Sequence, residues 1–186
     1  MRQVFTCIVL LMCVSCTYEK RRIVTDIVTE WKGKEIVFPK QWTPINYVDG
    51  SLMKFDFGYY EYSIVNYIDS SGCVSCKLGL RKWTEWIPCL DSAKVACVFV
   101  FNPKKNEVDS LKRYLKYNNF SYPVFIDEQD IFNSLNHFPS DEQFHTFLLD
   151  HKNRVLAIGN PVYSTRIYDL YKKIVLSESG FDDEEN

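Results

Sequence analysis

Two cysteines separated by two residues, in the stretch DSSGCVSCKLGL, set the chemical question posed by this 186-residue chain. Cys73 and Cys76 lie between a run rich in tyrosine and β-branched residues (59–69) and a run with helical periodicity. The thiolate, not the thiol, attacks a disulfide. A cysteine at a helix N-terminus meets unpaired backbone N–H groups and the positive end of the helix dipole, and both favour the thiolate. Cys73 is therefore the expected nucleophile. Cys76, one turn further on and facing inward, is placed to resolve a mixed disulfide. Lys77, Arg81 and Lys82 add positive charge, a weak contribution because exposed charges are screened. A disulfide that closes so short a loop adds little stability by loop entropy, which counts against a purely structural staple.

These thiols need a strand before them and a helix after them. YYEYSIVNYID (59–69) reads as the strand. Cys76, Leu80, Trp83, Ile87 and Leu90 form one helical stripe, which Pro88 kinks or ends. VACVFVF (95–101) is apolar at every position, as expected of a central strand covered on both faces. A helix over 105–117 directs Val108, Leu111 and Leu115 inward; a strand at 122–127 and a short helical turn at 131–136 follow. HTFLLDHKNRVLAIGNP (145–161) reads as a β-hairpin turning at 151–154. The last helix carries Ile167, Leu170, Tyr171, Ile174 and Val175 on one face. Before this domain, Ile23, Ile27, Val28 and Trp31 predict a helix stopped by Gly33. A short strand over 35–38 comes next, then a loop with a hairpin arm over 40–58. The pattern is one α/β domain with a central mixed sheet flanked by helices.

The same tetrapeptide, CVSC, occurs at 13–16, in a different setting. Arg2 and the apolar stretch Val4–Val14 form a secretory signal, too short to span a bilayer. Val14-Ser15-Cys16 resembles the end of a bacterial lipobox, although Cys13 stands where leucine is usual. The resemblance implies lipid attachment at Cys16, just before the polar TYEKRR; the alternative is an ordinary cleaved signal. The expected division is signal peptide 1–15, tether 16–22, N-terminal helix and strand extension 23–58, domain 59–178 and acidic disordered tail 179–186. Acyl chains would hold the protein at a membrane of the bacterial cell envelope, facing the periplasm, where disulfides persist.

From 59 to 177, SGCVSCKLGLRKW, the αβ run, the TFLLD…NRVLAIGNP hairpin and the final helix resemble the thioredoxin superfamily, its membrane-tethered TlpA-like and redoxin lipoproteins above all. The resemblance implies a thioredoxin-like fold, with Cys73 as the attacking and Cys76 as the resolving cysteine of a thiol–disulfide oxidoreductase acting on protein thiols and disulfides of the envelope without a cofactor. Three departures accompany it. Gly72 stands where tryptophan is common, and Val74-Ser75 where the motif often holds proline. The cis-proline that packs beside the motif is replaced by His145, with Pro139 the nearest proline. Tyr67 and Gly79 occupy positions where a buried carboxylate is expected.

His145 at that position is a candidate to stabilise the Cys73 thiolate or take its proton, or to be a histidine with no chemistry. Cys73, Cys76 and His145 also make a soft S₂N set suited to Cu(I), which resembles thioredoxin-fold copper chaperones. Those chaperones have cysteines spaced one residue further apart. A non-enzymatic lipoprotein with a structural disulfide is the third class. Cys97 and Cys89 read as inert, with a Cys89–Cys97 bond as the alternative. With 22 basic and 24 acidic residues, the chain offers no surface for nucleic acid, and a monomer is expected.

Overall fold

The all-apolar VACVFVF run forms β2 (Val95–Phe101), buried along its whole length. In this computed structural model the described residues are 19–40, 42–53, 55–70 and 79–177. The signal segment with Cys16, the Cys73–Cys76 motif and the acidic tail lie outside them. β2 pairs in parallel with β1 (Tyr62–Ile68) on one side and with β3 (Val124–Ile126) on the other. The hairpin β4 (Thr146–Asp150) and β5 (Val155–Ile158) extends the sheet antiparallel to β1, giving the order β3-β2-β1-β4-β5. The sheet is mixed, as the hairpin and the parallel crossovers predict.

Alternation along each strand divides the core in two. Ile64, Cys97, Phe99 and Phe101 point to the face covered by α2 (Leu80–Trp86), α3 (Val108–Tyr117) and α5 (Thr165–Ser177). Val65, Tyr67, Val98 and Val100 point to the opposite face, under α1 (19–31), α4 (Ile131–Asn136) and the aromatic loop around Phe38 and Phe57. Trp83, fully buried on α2, meets Phe99 edge-on at 5.1 Å. The α2 helix gives way to a 3-10 turn over Ile87–Cys89, where Pro88 interrupts the helical ladder. On α5, Tyr171 donates its hydroxyl to the Gly159 carbonyl at 2.9 Å, fastening the last helix to the end of β5.

Several local expectations change. The strand expected over 35–38 is reduced to a single bridge between Glu35 and Arg154. The Asn136 side chain takes both the N–H and the carbonyl of Val37, at 2.8 and 2.9 Å, which draws the backbone off the sheet edge. The hairpin arm is present as Ile45 bridged to Leu52 and to Val124. Helix α1 includes 19–22, so its first described turn lies inside the segment read as tether. Ile23 and Val28 are exposed rather than inward, because α1 touches the body mainly through Trp31. Leu170 is also exposed, at the edge of the α5 stripe. Cys89 and Cys97 are free thiols, Cys89 exposed and Cys97 buried, and burial pushes the Cys97 thiol well up.

Candidate functional site

The C-terminal ends of parallel strands are where α/β sheets present ligand sites, and here those ends are tied together by the backbone. The Asn102 N–H donates to the Ile68 carbonyl at 2.8 Å, and the Asp127 N–H donates to the Phe101 carbonyl at 2.7 Å. Buried Asp127 accepts from the N–H groups of Ile131 and Phe132, at 3.0 and 2.7 Å, and so caps α4. That cap places Asp130 against β1, where its carboxylate accepts from the Tyr67 hydroxyl and from the Asn133 amide. Burial, and then the Asp130 hydrogen bond and charge with smaller contributions from Asp69 and Asp127, push the Tyr67 hydroxyl far above its ordinary range.

His145 stands at the entrance to β4, 5% exposed. Its carbonyl accepts from the Tyr67 N–H at 2.9 Å, so the turn ending at His145 is stitched to β1. Its Nε2 lies 2.7 Å from the Pro139 carbonyl. A carbonyl oxygen only accepts, so Nε2 carries a proton and donates it to Pro139. The other ring nitrogen, Nδ1, is buried and has no hydrogen-bond partner among the described residues. The ring packs 5.3 Å from that of Tyr67. No cis peptide bond occurs among the described residues.

His145 and Tyr67 line a groove of about 850 Å³ that also takes in Asp69, Tyr163, and Val24 and Val28 of α1. The chain enters the cysteine segment through Asp69 and Ser70 and leaves it at left-handed Gly79; α2 begins only at Leu80, so the single helical stripe expected from Cys76 to Leu90 is reduced to Leu80 and Trp83, with Ile87 in the 3-10 turn. Gly79 sits in the left-handed region at φ 44°, and a Cβ there would fall 2.2 Å from the Tyr163 hydroxyl oxygen. Tyr163 therefore packs directly on the backbone that closes this segment, with Lys82 Nζ 4.3 Å from its ring centroid. Asp69, at one end of this segment, lines the groove that His145 lines, and Gly79, at the other, packs against Tyr163 of the groove wall. Cys73 and Cys76 themselves lie outside the described residues.

No protein-family model matches this sequence, and no curated protein sequence matches it. Solved structures do share its architecture. The thioredoxin domain of a thiol-disulfide oxidoreductase from Bacteroides vulgatus superposes with a TM-score of 0.54 at 11% identity, covering 75% of this chain and 97% of that one. A thiol:disulfide interchange protein from Bacteroides sp. gives 0.50 at 15% identity, covering 77% and 90%. The fold is thioredoxin-like. Identities this low speak of backbone architecture, and residue roles rest on the chemistry of this chain.

Within that thioredoxin-like sheet, the Tyr67–Asp130 pair and the Tyr163–Gly79 contact were not foreseen. DEQD before a short helical turn signals a cap at Asp127. No sequence spacing signals that the same loop delivers a carboxylate to a tyrosine 63 positions earlier. Among the described residues no group of three His, Cys, Asp or Glu is arranged to hold a metal ion.

Proposed function

We propose that this protein is a thiol–disulfide oxidoreductase of the bacterial cell envelope, tethered to a membrane by lipid on Cys16, with Cys73 and Cys76 as its working pair. The observation that carries the reading is the place of the motif. It joins the C-terminal end of β1 to the start of α2 in a thioredoxin-like sheet, with Asp69 on one flank lining the groove that His145 lines and Gly79 on the other packed against Tyr163 of the groove wall.

The Cys73 thiolate attacks one sulfur of a partner disulfide, forming a mixed disulfide and releasing the partner's other sulfur as a thiolate. The Cys76 thiolate then attacks Cys73 Sγ, releasing the partner's second thiolate and leaving a Cys73–Cys76 disulfide. Two electrons pass to the partner, and the two protons lost from the cysteines end on its thiols. Run backwards, the same atoms oxidise a dithiol. The reduction potential of the pair tests the reading, measured in graded thiol buffers with free thiols counted by alkylation and mass. A value between about −120 and −270 mV is expected. A value well below about −300 mV would mark a stable staple and end the catalytic reading.

A second reading, Cu(I) carriage by Cys73, Cys76 and His145, is supported by the buried Nδ1 of His145, which has no hydrogen-bond partner among the described residues. It requires stoichiometric Cu(I) binding that is lost on His145→Ala. Binding unaffected by that change removes His145 from the site and this reading with it.

A further inference from the structure

Helix α1 runs thirteen residues as described (19–31), and Trp31 is its one buried residue. Ile23, Val24, Ile27, Val28 and Trp31 fall at the spacing of a single apolar stripe. Trp31 seats the C-terminal end of that stripe between Phe138 and Phe147, with ring centroids at 5.7 and 5.3 Å. Ile27 packs half-buried against the same cluster and Val24 and Val28 reach the groove, leaving Ile23 51%, Val24 39% and Val28 38% exposed. An amphipathic helix owes most of its stability to a surface that covers its apolar side.

The charges say which surface. Lys20, Arg21 and Arg22 are three consecutive basic residues in the first described turn, all exposed to solvent. Arg22 reaches Asp26 only at 3.9 Å, fully in solvent, and Lys20 and Arg21 form no ion pair among the described residues. The basic end of α1 is also its far end, away from Trp31. Cys16 lies three residues before the first described residue of the helix, a span of at most about 11 Å even when fully extended. The apolar run Val4–Val14 precedes it.

We propose that α1 lies on an anionic bilayer surface, with Lys20, Arg21 and Arg22 among the headgroup phosphates and Ile23 in the interface. Val24 and Val28 of the same helix form part of the groove wall. Seating α1 on lipid therefore holds the groove at the membrane surface, within reach of thiols on membrane proteins. That last consequence rests on the thiol-exchange reading; the seating of α1 does not.

Amide hydrogen exchange on the full chain tests the seating, with vesicles of mixed phosphatidylglycerol and phosphatidylcholine compared against phosphatidylcholine alone. Exchange over 19–28 should slow at least about tenfold on the anionic vesicles only, with α3 unchanged, and the protection should fade in high salt. Each basic residue near such a surface is worth about fivefold in binding, so K20E/R21E should weaken binding by at least about 25-fold and return exchange over 19–28 to its rate without anionic lipid. Both positions are exposed, and unchanged exchange in α3 reports that the variant is folded. Equal exchange on the two vesicle types overturns the proposal, as does protection that K20E/R21E leaves intact or that tracks protein concentration, the mark of a second copy covering the stripe. Cys73→Ser separates the two readings: it should abolish disulfide exchange and leave α1 protection unchanged.

Discussion

Tyr67 is held between a carboxylate and an imidazole. Asp130, at the start of α4, accepts the Tyr67 hydroxyl, and His145 packs against the same ring. Tyr67→Phe leaves the ring in place and deprives Asp130 of a donor, at an expected cost of about 1–3 kcal/mol near neutral pH, read from denaturant midpoints. The pH dependence has a definite sign. The folded state raises the pKa of Tyr67 above its unfolded value of about 10, so the stabilisation is complete below pH 10 and is lost as pH rises beyond it. The parent protein should lose more stability than Tyr67→Phe between pH 9 and 11. Parallel pH curves would mean that the hydroxyl is not held in this way. Cys97, buried and raised, should resist alkylation until the chain unfolds, whereas exposed Cys89 reacts at once.

Helix α2 owes its starting point to Gly79. The left-handed backbone there costs an L-residue about 1–2 kcal/mol, and the Tyr163 hydroxyl occupies the space a Cβ would need. Gly79→Ala should therefore destabilise the protein by at least that amount in thermal or denaturant melts. Tyr163→Ala in the same chain should recover the steric part and leave the backbone part. Full recovery in the double variant would mean the backbone conformation carries no cost. Both changes lie next to the cysteine segment, so exchange kinetics measured alongside stability will report how far α2 sets the reactivity of Cys73. The β4–β5 turn has an anchor of its own kind. Asp150 accepts from the N–H groups of Lys152 and Arg154, each at 2.8 Å, and pairs with the Arg154 guanidinium at 2.7 Å.

Across the whole molecule, two aromatic-rich layers sandwich the sheet, and α1 belongs to the second layer through buried Trp31 with half-buried Ile27 beside it. Trp31 carries Lys34 Nζ 3.7 Å from its ring centroid and is enclosed by Phe138 and Phe147. Trp31→Ala should cost about 3–5 kcal/mol. It should also release α1 first: amides over 19–31 would exchange like an unfolded peptide in water while β1 and β2 stay protected. If α1 and the sheet lose protection together, α1 is an integral part of the cooperative core and not an appended arm. The same arrangement explains why the groove has one wall, α1, whose attachment differs from that of the sheet and hairpin forming the others.

Periodicity in the sequence determined the elements. An all-apolar seven-residue run has only a central strand to become, and the VACVFVF bounds hold to the residue. The inward positions Val108, Leu111 and Leu115, the helical turn over 131–136 and the hairpin turning near Asn153 follow from local pattern in the same way. From these came the α/β class and the thioredoxin-like resemblance, now seen as backbone architecture. What sequence could not decide were matters of competition at a distance. Asn136 takes both backbone groups of Val37 and cancels a strand 99 positions away. An apolar stripe at helical spacing predicts burial, yet whether Ile23 and Val28 find a surface depends on how far α1 projects beyond Trp31. The partner of the His145 Nε2 depends on where the Pro139 carbonyl comes to rest. Local pattern fixes what each segment can bury; only the assembled packing decides which polar groups meet at the site and which apolar surface stays open.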